Sequence, residues 1–544
     1  MLRPAINTYT QLREQKRPFD MNRTPNGYYK RQDISKTETN IDFLLTYTDK
    51  WGDFGFNANV GGNRKNYEYR NLTAWVNGLA SPGVYKLSNG LTSPFARTYD
   101  SNLKENSLYG MTSFGWKDMI FVDFTGRNDW NSSVAVKYSS FFYPSVSSSF
   151  ILSDLFKIKG PINYLKYRLS FAKVGNGGTT GWTNRYYDQS DFTASAVVPG
   201  RLFNPDIKPE STTSWETGFE ALLFKKRLSL DFTVYQQSTK NQIFELPNDI
   251  TTGYSRRVVN GGEIENRGIE IAATYSPIKN KDFEWKMIGT WSKNENKVKS
   301  LVEGIEGDQM ILGQSGTVYQ IAKVGGSSTA LYGEKFVRNE AGQIIYDAKT
   351  GVPIKNGLIE YVGDATPKWR AGFTNEIKFK TLRFSFTLDG QYGGIVYSQT
   401  YHKMMEQGKL ADSLPGREDG YIIGNGVVLN ADGTYSPNTT KADVATYYAE
   451  YNRRANVESN SFEASYLKLR DVSLTFDFPK RLLSKTGLQA LSLTVYGRDL
   501  FTISDFPLYD PETASLNGNT YVPGVEMGQM PSTATYGVTL KASL

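Results

Sequence analysis

Period-two alternation, strands long enough to cross a bilayer, and connections that alternate tight and long predict an all-β chain. The fold class is an antiparallel transmembrane β-barrel. The 544 residues hold about fifteen such strands, more than one open sheet usually carries. Soluble strands average ~5–6 residues, whereas many runs here reach the ~9–11 that a tilted membrane strand requires. A short turn after one strand and a long loop after the next is the layout of a bacterial outer-membrane barrel. A set of soluble β-sandwiches would share the alternation and the turns, but not the strand length.

In chain order, residues 1–40 are polar and lack alternation, and read as an outer loop of a larger barrel. Residues 41–544 read as its C-terminal part, beginning with "IDFLLTY" (41–47). "LSLDFTV" (228–234) sets Leu228, Leu230, Phe232 and Val234 against Ser229, Asp231 and Thr233. "FEWKMIGTW" (283–291) and "LRFSFTLDG" (382–390) repeat the scheme, and "WRAGFTNEIKF" (369–379) does so with one flaw, Asn375 on the apolar face. The apolar sets should face lipid. The polar sets should line a hydrated interior. Tight connections fall at 48–53, 117–118, 225–226, 277–281 and 380–381; long ones at 67–105, 174–212, 294–368, 393–462 and 501–531. Aromatics bracket several runs, such as Phe462 and Tyr466 against Phe476 and Phe478, as interface girdles do. The last run, with Tyr536, Val538 and Leu540 on one face, continues to Leu544. A closed barrel gives such a strand a neighbour on each side and lipid on one face.

Composition excludes more than it selects. No apolar run approaches the ~18 residues of a membrane helix. The absence of Cys removes disulfides, thiol catalysis and cysteine-ligated metals. An excess of 62 basic over 55 acidic residues is mild at this length and forms no nucleic-acid stripe. The first twenty residues carry no apolar core of a signal peptide.

Several stretches resemble the SusC/RagA family of TonB-dependent outer-membrane transporters. They are "NPDIKPESTTSWETGFEALLFKKRLSLDFTVYQQSTKNQI" (204–243), "NGGEIENRGIEI" (260–271), "VGDATPKWRAGFTNEIKFKTLRFSF" (362–386), "YLKLRDVSLTFDFP" (466–479), "LTVYGRDLF" (493–501) and "YDPE" (509–512). The resemblance covers most of 160–544. It implies a twenty-two-stranded barrel with an N-terminal plug, a lid lipoprotein of the SusD type, energy from TonB and its inner-membrane motor, and import of a large nutrient, oligosaccharide or peptide. No plug or TonB-contacting segment is visible, so the chain is expected to be the C-terminal barrel portion, at the outer membrane.

Candidate chemistry is sparse. The one histidine, His402, has too few partners for a usual zinc site and reads as a solvated loop residue. "VGNGGTTG" (174–181) lacks the Lys-Ser/Thr of a phosphate loop and reads as a flexible apex. No nucleophile elbow or triad appears, so neither enzyme activity nor a cofactor is expected. The alternative of a secreted glycan-binding or glycan-cleaving protein rests on carboxylates such as those of "GRED" (416–419), whose partners could be distant in sequence. Glu216, Glu220, Asp231, Arg383, Asp389 and Arg498 are expected to face the lumen, since charge is costly only on the lipid face. Trp182, Tyr186, Tyr187, Tyr447, Tyr448 and Tyr451 are candidates for stacking on substrate or lid. Packing of the loops against themselves is the plainer account of the same rings.

Overall fold

The computed structural model describes residues 1–544 apart from 184–185, 190–194, 304, 306–307, 513–514 and 518–519, so the segments 174–212, 294–368 and 501–531 each include residues outside the description. Sixteen long strands succeed one another in a single sheet, each hydrogen-bonded to the next. They begin with β1 (Leu2–Met21), β2 (Thr24–Trp51), β3 (Phe54–Val76) and β4 (Phe95–Trp116). Next come β5 (Ile120–Asn131), β6 (Ser140–Ile151), β7 (Ile162–Asn176) and β8 (Glu210–Leu223). β9 (Leu228–Pro247), β10 (Arg256–Lys279), β11 (Phe283–Ser300) and β12 (Trp369–Phe379) follow. The series closes with β13 (Leu382–Tyr392), β14 (Tyr466–Asp477), β15 (Ala490–Ser504) and β16 (Thr535–Ser543). The chain packs as two units, residues 1–150, 168–216 and 237–263 in one, and 151–167, 217–236 and 264–544 in the other.

In the first unit, β2 is 28 residues long and β3 is 23, more than twice what a membrane strand needs. The odd face of β2 explains the surplus. It carries Arg31, Asp33, Ser35 and Thr37, then turns apolar at Ile41, Phe43, Leu45 and Tyr47. One strand therefore has a polar half and a lipid-facing half. Residues 1–40 are accordingly a hairpin and its continuation, with Leu2 opposite Phe43 and Met21 opposite Thr24, rather than a loop. Likewise 67–76 and 95–105 are paired strand, Tyr67 opposite Leu103, which leaves 77–94 as the connection. Outside hydrocarbon nothing demands an apolar face, so these strands carry no alternation to read. The turn at Lys117 and Asp118 takes φ of 51° and 55°, the doubly left-handed geometry that suits the twist of a tight hairpin.

In the second unit the strands are shorter and the alternation shows. β12 and β13 are eleven residues each, paired from Trp369–Tyr392 to Phe379–Leu382. Phe373 and Phe384 are each 38% exposed on the apolar face, where a soluble protein would bury them. Asn375 resolves itself: the indole N–H of Trp285 donates to its side-chain oxygen at 2.7 Å, and Asn375 is buried. The tight turns are laced together, Lys380 N donating to Asp282 O at 2.7 Å and Asp477 N to Thr381 O at 2.8 Å. β16 pairs with β15 throughout its length, and among the described residues it has no second strand neighbour. β11 and β15 also run on, to Ser300 and Ser504, into the segments read as loops 294–368 and 501–531.

Those connections contain a folded lobe with its own core: Val318, Leu331, Tyr397, Val457, Val522 and Val525 are all buried. Two helices belong to it, α1 (Gln399–Glu406) and α2 (Val444–Tyr451). Ser398 caps α1 by accepting from Tyr401 N at 3.0 Å, and Asp443 caps α2 by accepting from Thr446 N at 2.9 Å, the usual role of such residues.

Candidate functional site

A dense cluster of charge on the polar face lies where β14 bulges. "YLKLRD" (466–471) places Tyr466, Lys468 and Arg470 on that face, and Asp471 as well, so two polar residues follow each other. The register with β13 and with β15 shifts at this point, leaving Arg470 as the extra residue. A bulge of this kind re-aims a side chain. Arg470 reaches Asp389 of β13 with its Nε at 2.9 Å, Glu512 at 2.7 Å and Asp499 at 3.6 Å. Lys468 is almost wholly buried and holds Asp510 at 2.7 Å and Glu512 as well. Tyr466 donates its hydroxyl to Glu512 at 2.7 Å. Burial alone would raise the Glu512 carboxyl, but hydrogen bonds from Lys468, Tyr466 and Arg470 outweigh it and hold the group at about 2. "YDPE" is thus strapped to β14 by ion pairs, and Arg470 ties the same strand to β13 and β15.

A second knot lies in the lobe. Glu526 is fully buried, with no ion-pair partner among the described residues. It accepts from Ser398 Oγ at 2.5 Å, Thr400 Oγ1 at 2.6 Å, Tyr509 OH at 3.3 Å, Gly528 N at 2.5 Å, and Thr400 N and Gln529 N at 3.2 Å each. Burial raises its carboxyl, and these donors more than offset the rise, leaving it below the usual range. Of these residues only Asp389 is among the candidates read from the sequence; the doubled polar residue in "KLRD" is the signal left unused for the first knot.

The expected lumen residues distribute along the sheet. Asp389 joins the cluster at the bulge. Arg498 pairs with Asp471 beside it at 3.5 Å. Arg383 pairs with Asp477 at 2.8 Å, near the tight turns. Asp231 accepts from Thr233 Oγ1 at 3.3 Å. Glu216 and Glu220 occupy the β8 face opposite Trp215 and Phe219, which pack on Phe171 and Tyr167 at 4.5 and 4.9 Å.

The aromatic candidates separate into two sets. Trp182 packs on a buried cluster of Val134, Ile207 and Val258. Tyr447, Tyr448 and Tyr451 form part of the lobe's core with Tyr346, and burial pushes the Tyr447 hydroxyl well up. Tyr186 and Tyr187 are exposed. His402 is not solvated. It is 2% exposed on α1, its Nδ1 2.5 Å from the Asn452 carbonyl, because α1 and α2 close over it. Desolvation lowers its pKa. Among the described residues no group of three or more His, Cys, Asp or Glu could hold a metal.

A long antiparallel sheet with an exposed apolar face, a charged face opposite and a folded lobe on the long connections defines an outer-membrane barrel. Residues 5–500 match the family model described as TonB dependent receptor-like, beta-barrel, and the chain belongs to that family. It is of the SusC/RagA type. It is 24% identical over 539 residues to a TonB-dependent receptor of Formosa agariphila, covering 92% of this chain and 52% of that protein. To the TonB-dependent receptor SusC of Bacteroides thetaiotaomicron it is 22% identical over 546 residues, covering 91% and 50%. The solved RagAB peptide transporter superposes with a TM-score of 0.77 at 18% identity, over 99% of this chain and 59% of that one, which establishes the common fold. The chain spans about half the length of these curated relatives.

Proposed function

We propose that this chain supplies barrel strands and outer loops to a TonB-dependent importer of a large nutrient, with the polar face as the wall of the pathway. Family membership supports this, and the charged face of the sheet carries it. Charges there are costly toward lipid and tolerated toward water. The strapped cluster of Lys468, Arg470, Asp389 and Glu512 lies on that wall. The lobe around α1 and α2 presents the outer mouth and meets a lid lipoprotein of the SusD type. The likeness to the RagAB peptide transporter supports a partner there. TonB would engage the transporter outside the strands described above. The nutrient is an oligosaccharide or a peptide, with no covalent chemistry.

The experiment is uptake by cells expressing the transporter. Replacing 405–455 with a short Gly-Ser link should abolish uptake and lid co-purification while the barrel still migrates as a heat-modifiable species. Undiminished uptake after that replacement would dispose of the lobe's role.

A further inference from the structure

β11 outruns its neighbour. Its pairing with β12 ends at Ser292 opposite Arg370, yet β11 continues to Ser300. The notch so left is a cleft of about 950 Å³. Four rings line it: Trp291, Tyr361, Trp369 and Tyr392. Trp369 and Tyr392 stack at 5.5 Å with 26° between their planes. Tyr361 is 52% exposed and Trp369 36%, so ring surface is open to a ligand. Gly393, at φ 76°, sits beside them; a Cβ there would lie 2.9 Å from Lys368 Cγ, so the glycine lets Lys368 lie over the Tyr392 ring at 5.4 Å.

The polar lining has spare capacity. Lys293 and Glu295 line the cleft and have no ion-pair or hydrogen-bond partner among the described residues, nor have the indole N–H groups of Trp291 and Trp369. Asn294 and Glu463 add an amide and a carboxylate. An interface girdle explains rings at this level of the wall, but it does not require a cavity with unpaired donors and acceptors around it.

We propose that this cleft binds a sugar ring. The C–H face of a pyranose is apolar and slightly positive, which suits the negative face of an indole or phenol. Its edge hydroxyls both donate and accept, and so need carboxylates, amides and ammonium groups around the platform. The cleft supplies both at ligand size. A pyranose could come from a free oligosaccharide or from the headgroup of an outer-leaflet glycolipid. The inference rests on the outer-membrane assignment and is independent of transport, so its failure leaves the proposed importer standing.

The test is tryptophan fluorescence of the detergent-solubilised protein. One arm titrates neutral gluco-, manno- and galacto-oligosaccharides. The other adds lipopolysaccharide-doped vesicles, with phosphatidylethanolamine vesicles as reference. A saturable response in either arm is expected, roughly tenfold weaker in Trp369→Ala and also weakened in Tyr361→Ala, which lies in a short strand (Glu360–Asp364) outside the sixteen-stranded sheet. Trp215→Phe, on β8, should respond as the parent does. A flat response in both arms, an equal loss in Trp215→Phe, or an equally strong response to an uncharged tetrapeptide would overturn the sugar assignment.

Discussion

The wall and the lobe are made from one chain by opposite rules. On the wall, large apolar side chains point outward: Val538 and Leu540 of β16 are each about two-thirds exposed. In the lobe, Leu331, Val457 and Val525 are completely buried, and helices are capped as in any water-soluble domain. The polar groups reverse too. Charges on the wall pair across strands, as Lys286 does with Glu376 directly opposite at 3.2 Å. The lobe buries Glu526 with neutral donors alone. Solvent explains the contrast. Lipid is the apolar phase for the wall, so its core is outside; the lobe stands in water and must build a core within itself.

The largest test of this contrast falls on the lobe. Glu526→Ala removes a carboxylate that six donors address, each such bond being worth ~1.5–3 kcal/mol. Local opening should become easier by about 4 kcal/mol, read as lost hydrogen-exchange protection over 395–400 and 525–529 while β12 and β13 remain protected. Equal loss in those strands would mean that lobe and wall unfold together.

Next, the wall. Phe386→Arg on the apolar face should cost ~2–4 kcal/mol, and Thr387→Arg on the polar face much less, measured by denaturant unfolding in lipid vesicles. Phe386 packs against Phe373 and Phe384 at 6.2 and 6.0 Å, whereas Thr387 only shares a hydroxyl contact with Thr374 at 3.0 Å. Similar costs would reverse the facing of β13.

How much of this was legible follows the same division. The alternation of 228–234 and 382–388 gave the wall because lipid enforces it on every second residue. It gave nothing for residues 1–40 or 67–76, where the strands pair without hydrocarbon to impose an apolar face. The site was harder. Asp389, Arg383 and Arg498 could be placed by alternation, but their partners Glu512, Asp477 and Asp471 depend on a bulge and on connections whose path no local pattern fixes. His402 was misread because two short helices bury it, and an eight-residue helix of mean polarity looks like loop in sequence.

Acid should separate the regions in two steps. The His402 pKa is depressed from 6.5 by burial, so its contribution is present above pH 6.5 and is lost as pH falls below that value. Glu512, depressed from 4.5 to about 2, contributes fully above pH 4.5, and that contribution disappears toward pH 2. Protease sensitivity of the lobe should therefore rise first as pH falls below 6.5, and His402→Gln should flatten this step only. A first step that survives His402→Gln would assign it to another group.

The smallest effect probes a polar contact on the lipid face. Trp285 and Asn375 satisfy each other at 2.7 Å, on strands paired with Met287 opposite Asn375. Asn375→Leu should leave an indole N–H without an acceptor in hydrocarbon, and Trp285→Phe should leave an amide unpaired there. Each single variant should thus be slightly less stable than the parent. The double variant removes both groups and should recover, giving a coupling near the ~0.6 kcal/mol typical of polar contacts within membranes. Strictly additive losses would show that Asn375 finds water or a lipid headgroup instead, and that this part of β12 lies at the interface and not within the hydrocarbon.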